Sequence, residues 1–586
     1  MFSIALPLQA QNGLGGGDRV AGAPYATRSA VLAQHGIAAT SHPLASQVAI
    51  DILKQGGSAV DAAIAANAAI GLMEPTGNGI GGDLFAIVWD PEAEELTGLN
   101  ASGPAPQGLT LADLQARFGE EHQGDFPQIP FFGAYAVSVP GAVDGWRALH
   151  ERYGTLPFAD VMAPAIGYAR DGFPVTQVIA HYWQANQRRF ASYQEEIQAY
   201  STPTDYLHEF ANAEATFFPG GASPQEGEIF RNPDLAATYQ TLADEGPRAY
   251  YEGRIADTID AYMQRIGGPL RKSDLAAYRA EWVAPISTNY RGYDVFQLPP
   301  NGQGLAVLQM LNILEGYDLA SMGHLSADYL HVHTEAKKLA FADRARYYAD
   351  PAFSDIPLER LLSKEYAAQQ RAQIRMDQVL QTIDPVGTGL EAGDTIYLTV
   401  ADKDGMMVSL IQSNYMGMGS GLVPDGLGFM FQNRGSQFSL EDDHANVFAP
   451  GKRPFHTIIP AFVMKDGVPF LSFGLMGGAM QPQGHAQIIT NLIDFGLGVQ
   501  EAGDVARYRH RGSTSPQGGP AMTDGGTLNI ESGVAAEVVE ALRQRGHVVE
   551  IPGSAYGGYQ AILWDPVHRV YHGATEMRKD GTVVGY

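Results

Sequence analysis

Three groups of residues have the types and spacing to carry a nucleophilic step. Thr395 follows Gly393-Asp394 at the head of one apolar run, and a second run begins just past Lys403-Asp404-Gly405. A hairpin turning on Asp404 sets Thr395 opposite Ser413, so that one hydroxyl orients the other unless a bulge shifts the register. Gly477-Gly478 closes a later apolar run ahead of a helical pattern. Paired glycines there let two backbone N–H groups point outward, as stabilising an oxyanion requires, although a plain strand-to-helix turn has the same sequence. The chain contains no cysteine. A thiol nucleophile, disulfides and thiolate metal sites are thereby excluded, which leaves Ser, Thr, Lys or a carboxylate to carry any nucleophilic step.

Other patterns carry less. Gly77-Asn78-Gly79-Ile80-Gly81-Gly82 satisfies G-x-G-x-x-G, but a helix precedes it and a strand follows, the reverse of a dinucleotide fold, so a turn of close-packed backbone is expected. His331 and His333 lie two apart in a helical stretch; their side chains point about 200° apart and cannot share one ion. No G-x-S-x-G elbow is present. Neither a metal nor a cofactor is expected.

The elements that position these groups are legible in outline. Residues 36–71 read as two helices separated by Gly56-Gly57, followed by a strand at Asp83–Trp89. From about Thr110 to Arg375 the pattern is mostly helical. Past Gly393 short alternating runs take over, with strand pairs around two Lys-Asp-Gly turns. A helix at Val534–Gly546 and strands at Gln560–Trp564 and Val570–His572 close the chain. Helices first and hairpins second make an α+β arrangement and not a βαβ repeat.

Composition narrows the partners. The 586 residues carry 38 Lys+Arg against 64 Asp+Glu, a formal charge of -26, with 45% hydrophobic residues and a pI of about 4.9. So acidic a chain, with no basic run, is repelled by nucleic-acid backbones and anionic membranes. No apolar stretch is long enough for a membrane span. Met1–Ala10 is apolar and ends like a secretory signal, yet lacks the basic leader segment; export to the periplasm is the weakly preferred location, beside a short tail on a Gly-rich linker.

Seven segments together resemble the γ-glutamyltransferase family: SHPLASQ from Ser41, GGSAVDAAIAA from Gly56, EPTGNGIGGD from Glu74, GDTIYLTVADKDG around Thr395, GKRPFHTIIPA from Gly451, MGGAMQPQGHAQ from Met476 and the terminal RKDGTVVGY. The resemblance runs from about residue 36 to the end. It implies an N-terminal-nucleophile hydrolase, a four-layer αββα sandwich made as one precursor that cleaves itself at Asp394–Thr395. Residues 1–35 would be a tail, 36–394 the large subunit and 395–586 the small one, of about 42 and 21 kDa. The freed Thr395 α-amine, with a pKa near 8, then takes the proton from its own hydroxyl. Thr395 Oγ attacks the amide carbonyl, Gly477 and Gly478 hold the oxyanion, Ser413 orients the nucleophile, and the acyl-enzyme passes to water or an amine.

Departures from the glutamyl-specific pattern concentrate on substrate binding. Ser102 stands where an arginine grips the α-carboxylate, and Gln437 where a carboxylate holds the α-ammonium. His456 and Thr457 replace a serine pair, and Tyr415 an asparagine. Arg434 is a cation at a usually neutral position, suited to bind a carboxylate from another direction or to be held by a structural acid. A short 438–452 segment implies an open cleft. These features resemble the branch with cephalosporin-acylase-like members. The expected activity is hydrolysis of γ-glutamyl or related acyl amides, favoured over transpeptidation because no acceptor site is legible. The alternatives are an acylase for glutaryl, cephalosporin or other dicarboxylate-type amides, and a non-catalytic binding protein.

Overall fold

The computed structural model describes residues 14–15, 18–19, 27–120, 126–197, 209–383, 393–551 and 555–586. The signal-like segment Met1–Ala10 lies outside them. Fourteen strands build two seven-stranded sheets. In chain order they are β1 (Val31–Ala33), β2 (Gly36–Thr40), β3 (Asp83–Asp90), β4 (Glu95–Ala101), β5 (Glu281–Val283), β6 (Ile286–Tyr290), β7 (Tyr293–Gln297), β8 (Asp394–Asp402), β9 (Met407–Tyr415), β10 (Ala461–Lys465), β11 (Val468–Leu475), β12 (Tyr559–Asp565), β13 (Val570–Thr575) and β14 (Thr582–Gly585). One sheet has the order β14-β2-β8-β9-β3-β4-β5 and the other β6-β7-β10-β11-β12-β13-β1. Every pairing within them is antiparallel.

Strand alternation sorts the core into layers. On β3, Leu84, Ala86 and Val88 join the apolar cluster under the outer helices, whereas Phe85, Ile87 and Trp89 face the other sheet. On β8 and β9, Leu398, Val400, Val408 and Leu410 point outward, and Tyr397, Ala401 and Ile411 inward to meet Phe462 and Ile562. Helices α1 (Pro43–Lys54) and α2 (Ala59–Met73) cover the first sheet. Ser58 starts α2 with a capping box to Asp61, and all fifteen residues of this alanine-rich helix are buried, since further helices cover its outer side. Helices α4 (Gly304–Leu314) and α6 (Met480–Ile493) cover the second sheet, and α5 (Ala327–Tyr347) packs on α4; α3 (Gln177–Ile197) belongs to the helical region before them. The result is the expected αββα sandwich.

The stretch expected to be mostly helical also holds β5, β6 and β7. The β6–β7 turn is Arg291-Gly292, both residues at positive φ (50° and 85°), the left-handed pair that a two-residue hairpin needs; the polar Ser-Thr-Asn of β6 hides its strand pattern. The terminal β14 was likewise not expected. It completes the first sheet by pairing with β2.

Candidate active site

Thr395 lies at the head of β8, on the strand face that looks between the sheets, and Gly477-Gly478 follow the end of β11 in the opposing sheet. The hairpin pairs Ile396 with Gln412 through Ala401 with Met407, the register set by a turn on Asp404, and shifts at its first residue so that Asp394 pairs with Tyr415. This irregularity removes the ladder pairing of Thr395 with Ser413 but not their contact. Thr395 Oγ1 donates to Ser413 Oγ at 3.4 Å, and Ser413 Oγ donates to the Asp394 carbonyl oxygen at 2.7 Å while accepting from the Tyr415 N–H at 2.8 Å. The two hydroxyls and the carbonyl of the bond preceding Thr395 thus form one chain.

The glycine-rich 77–82 segment is the close-packed turn expected of it, between α2 and β3. A Cβ on Gly77 would lie 3.2 Å from the Thr395 nitrogen, and one on Gly81 2.1 Å from the Met430 carbonyl oxygen. Gly77 O also accepts from the Asn414 N–H at 3.0 Å, tying this turn to the end of β9.

Gly477 (φ 116°) and Gly478 (φ 59°) both adopt left-handed backbone, a conformation that glycine enters without penalty. Gln303 Nε2 donates to the Gly478 carbonyl at 2.9 Å and to the Thr457 carbonyl at 2.6 Å, and Arg344 donates to Gln303 Oε1 at 2.9 Å. These side chains fix the peptides beside the glycine pair. Neither Gln303 nor Arg344 was singled out from the sequence, where nothing marks them.

The departing residues make a buried wall. Arg434 Nη1 donates to Thr457 Oγ1 at 2.8 Å, and its guanidinium stacks 4.5 Å from the Tyr415 ring. Its Nε and Nη2 have no hydrogen-bond partner, and the carboxylate that acts on it electrostatically is Asp83. Burial lowers its pKa to about 10. Gln437 donates to the Tyr415 hydroxyl. His456 Nε2 lies 2.9 Å from Asp83 Oδ2, and Asp83 pairs with Ser413 across β3 and β9. Burial raises the Asp83 pKa to about 7, and Arg434 opposes the rise; burial also holds His456 well below its ordinary value. Ser102 joins the wall through Asn301: it donates to Asn100 Oδ1 at 2.7 Å and accepts from Asn301 Nδ2 at 3.2 Å, and the His456 N–H donates to the Asn301 carbonyl at 2.9 Å.

A cavity of about 300 Å³ adjoins Thr395; Asp394, Gly477, Tyr182, Arg578 and Lys579 are among its lining residues. Lys579 had no role assigned from the sequence, although the RKDG segment that carries it had been noticed.

The two histidines of α5 face different ways, as helical spacing requires. His331 meets His547 (2.8 Å) and the Arg375 carbonyl (2.7 Å), and His333 meets the Tyr508 hydroxyl (3.0 Å). Glu335, one turn on from His331, converges with His331 and His547, but Lys338 pairs with it at 2.8 Å and the Leu380 N–H donates to it at 2.7 Å.

Residues 45–586 match the family described as Gamma-glutamyltranspeptidase. The chain belongs to that family. It is 38% identical over 547 residues to the glutathione hydrolase-like YwrD proenzyme of Bacillus subtilis (strain 168), spanning 93% of this chain and 97% of that protein. To the oxamate amidohydrolase proenzyme of Klebsiella pneumoniae it is 36% identical over 570 residues, spanning 95% and 100%. The crystal structure of cephalosporin acylase from Bacillus halodurans superposes with a TM-score of 0.85 at 42% identity, over 97% of this chain and 99% of that one. This family member is therefore an enzyme of the hydrolase and transpeptidase class, and its proenzyme relatives imply a precursor cleaved into two subunits. Among the described residues no helix is long and apolar enough to cross a membrane.

Proposed function

We propose that the chain cleaves itself at Asp394–Thr395 and then hydrolyses γ-glutamyl or related acyl amides through an acyl ester on Thr395. The observation that carries this reading is the chain Thr395 Oγ1–H to Ser413 Oγ–H to the Asp394 carbonyl oxygen. Attack of Thr395 Oγ on the Asp394 carbonyl carbon sends the hydroxyl proton to Ser413 as the Ser413 proton moves onto the developing oxyanion. Collapse of the adduct reforms the carbonyl, passes the hydroxyl proton to the departing nitrogen as the C–N bond breaks, and leaves an ester on Oγ with a free α-amine. Water then cleaves the ester, giving the Asp394 α-carboxylate and an N-terminal Thr395. In turnover the α-amine is the general base, Ser413 the orienting hydroxyl, and the Gly477 and Gly478 N–H groups the oxyanion donors.

A denaturing gel with mass spectrometry of the N-termini tests the first half. Two chains with a terminus at Thr395 are expected, and Thr395→Ala should stay a single chain; normal maturation of that variant would refute the nucleophile, and an uncleaved wild type would favour the non-catalytic reading. Hydrolysis of γ-glutamyl anilide tests the second half. Arg434 supports a second reading, an acylase for dicarboxylate monoamides or cephalosporin side chains, because its two unpartnered nitrogens suit a carboxylate. Turnover of glutaryl anilide with none of γ-glutamyl anilide would select it.

A further inference from the structure

The ester formed during maturation and the acyl-enzyme formed in turnover are the same functional group on the same oxygen. In the first, the acyl group is residue 394 itself, so what surrounds the Asp394 side chain prefigures what surrounds the acyl group of a substrate. This argument rests on the Thr395 mechanism proposed above.

Asp394 is a dicarboxylate acyl group, and its carboxyl sits among cations. Burial raises its pKa, and Lys579 leads the groups, with Arg189 and Arg509, that oppose the rise electrostatically. The nest is tightly built. A Cβ on Gly417 would fall 2.9 Å from Arg189 Nη1, and Arg509 Nη1 is turned by the Ala555 carbonyl at 3.0 Å. Lys579 Nζ donates to the Tyr182 hydroxyl at 2.5 Å and stands 4.2 Å from the centre of its ring. It lines the same cavity as Thr395 and Gly477. Its neighbour Arg578 is occupied by Glu531 (2.5 Å) and Glu576 (2.5 Å). Glu74, the other acid near Lys579, accepts the Ser41 hydroxyl at 2.6 Å and is driven by burial toward its neutral form. Burial raises the Asp394 pKa as well, but Asp394 and not Glu74 lines the cavity with Lys579, and it belongs to the end released by cleavage. Once it departs, the cations are left beside the nucleophile without it.

We infer that in the mature protein Lys579, in the cavity it shares with Thr395 and Gly477, forms an anion subsite that takes a carboxylate on the acyl group of the substrate. The spacing of Asp394, two carbons between its carbonyl carbon and its side-chain carboxyl, points to short dicarboxylic monoamides of succinyl length. No free α-ammonium is required, because the α-nitrogen of Asp394 is itself acylated.

The test compares succinyl-p-nitroanilide with butyryl-p-nitroanilide, in which a methyl replaces the carboxylate, on protein whose Thr395 terminus has been verified. The wild type should prefer the succinyl compound in kcat/KM by tenfold or more. Lys579→Met should cut that ratio at least tenfold, mainly through KM, and Lys579→Arg should restore most of it. Equal turnover of both anilides by the wild type, or an unchanged ratio in Lys579→Met, would overturn the subsite. A binding arm separates this from the reading beneath it. Succinate should raise the Tm of the mature wild type, and should not raise that of mature Lys579→Met or of uncleaved Thr395→Ala, where Asp394 still fills the nest. If neither anilide is cleaved despite a Thr395 terminus, the amidase reading falls for these acyl groups and the binding arm alone decides. A succinate shift lost in Lys579→Met then supports the subsite, and no shift in the wild type overturns it.

Discussion

Ser413 performs three contacts with one hydroxyl: it receives the Thr395 proton, donates to the Asp394 carbonyl and accepts the Tyr415 N–H. In the proposed maturation, removing it leaves the developing oxyanion without that donor. Loss of one such donor costs about a hundredfold in rate, so Ser413→Ala should mature roughly a hundred times more slowly on a timed gel, and Ser413→Thr should recover much of the rate. An unchanged maturation rate in Ser413→Ala would remove Ser413 from the chemistry. A second residue-scale expectation concerns Glu74, whose pKa burial raises to about 7 from an ordinary 4.5. Between those values the folded protein keeps a proton that the unfolded chain has released, so this group's contribution to stability is full below about pH 4.5 and is lost as pH rises through 7. Glu74→Gln abolishes that loss, which is worth on the order of 3 kcal/mol at most. Relative to wild type, its Tm should therefore be higher at pH 8 than at pH 4.5; a pH-independent difference would show that Glu74 ionises normally. The comparison must be between the two proteins, because buried neutral histidines such as His333 and His485, both lowered to about 3 by burial, oppose stability in acid.

Between elements, the 77–82 turn holds the start of β8 against the end of β9. Its glycines do different work, which substitution separates. Gly81→Ala would drive a methyl to 2.1 Å from the Met430 carbonyl, a contact with backbone that cannot be relieved locally, whereas Gly77→Ala would press at 3.2 Å on the Thr395 nitrogen. Gly81→Ala should lower Tm by many degrees or prevent folding. Gly77→Ala should keep a near-normal Tm and slow maturation several-fold, measured by the same timed gel. Equal destabilisation by both would mean that the turn serves packing alone. The irregularity at the head of β8 belongs to the same scale. Hairpin counting set the register of β8 and β9 correctly up to Ile396, but a local shift depends on what the first residues meet in three dimensions, and periodicity cannot express that.

Across the whole molecule, a cut at Asp394–Thr395 would leave neither product with a sheet of its own. In one sheet β2, β3, β4 and β5 come from residues before the bond and β14, β8 and β9 from residues after it, with β2 lying between β14 and β8; in the other, β6, β7 and β1 flank four later strands. Backbone ladders and a shared apolar layer between the sheets therefore join the two chains. They should coelute in size-exclusion chromatography at the mass of the precursor and separate only in denaturant that also unfolds them. A folded 395–586 fragment expressed alone would contradict this. The charge of -26 takes on meaning at this scale too. The cations on which the proposed substrate binding rests are few and local: Arg434 beside Tyr415 and Lys579 in the cavity with Thr395.

The sequence by itself determined the two-stranded frame of Thr395, the helices that open the chain and the glycine pair after β11, because each is a local pattern of period, turn residues and punctuation. It also set Ser102, Gln437, His456, Thr457 and Tyr415 apart as departures from the glutamyl-specific pattern. Only the tertiary structure decided what those residues touch. It left Ser102 with Asn100 and Asn301, joined Arg434 to Thr457 and Tyr415, bound His456 to Asp83, and brought Lys579, close to the end of the chain, into one cavity with Asp394 and Thr395. Such contacts join residues hundreds of positions apart through the stacking of two sheets, and no spacing along the chain encodes them.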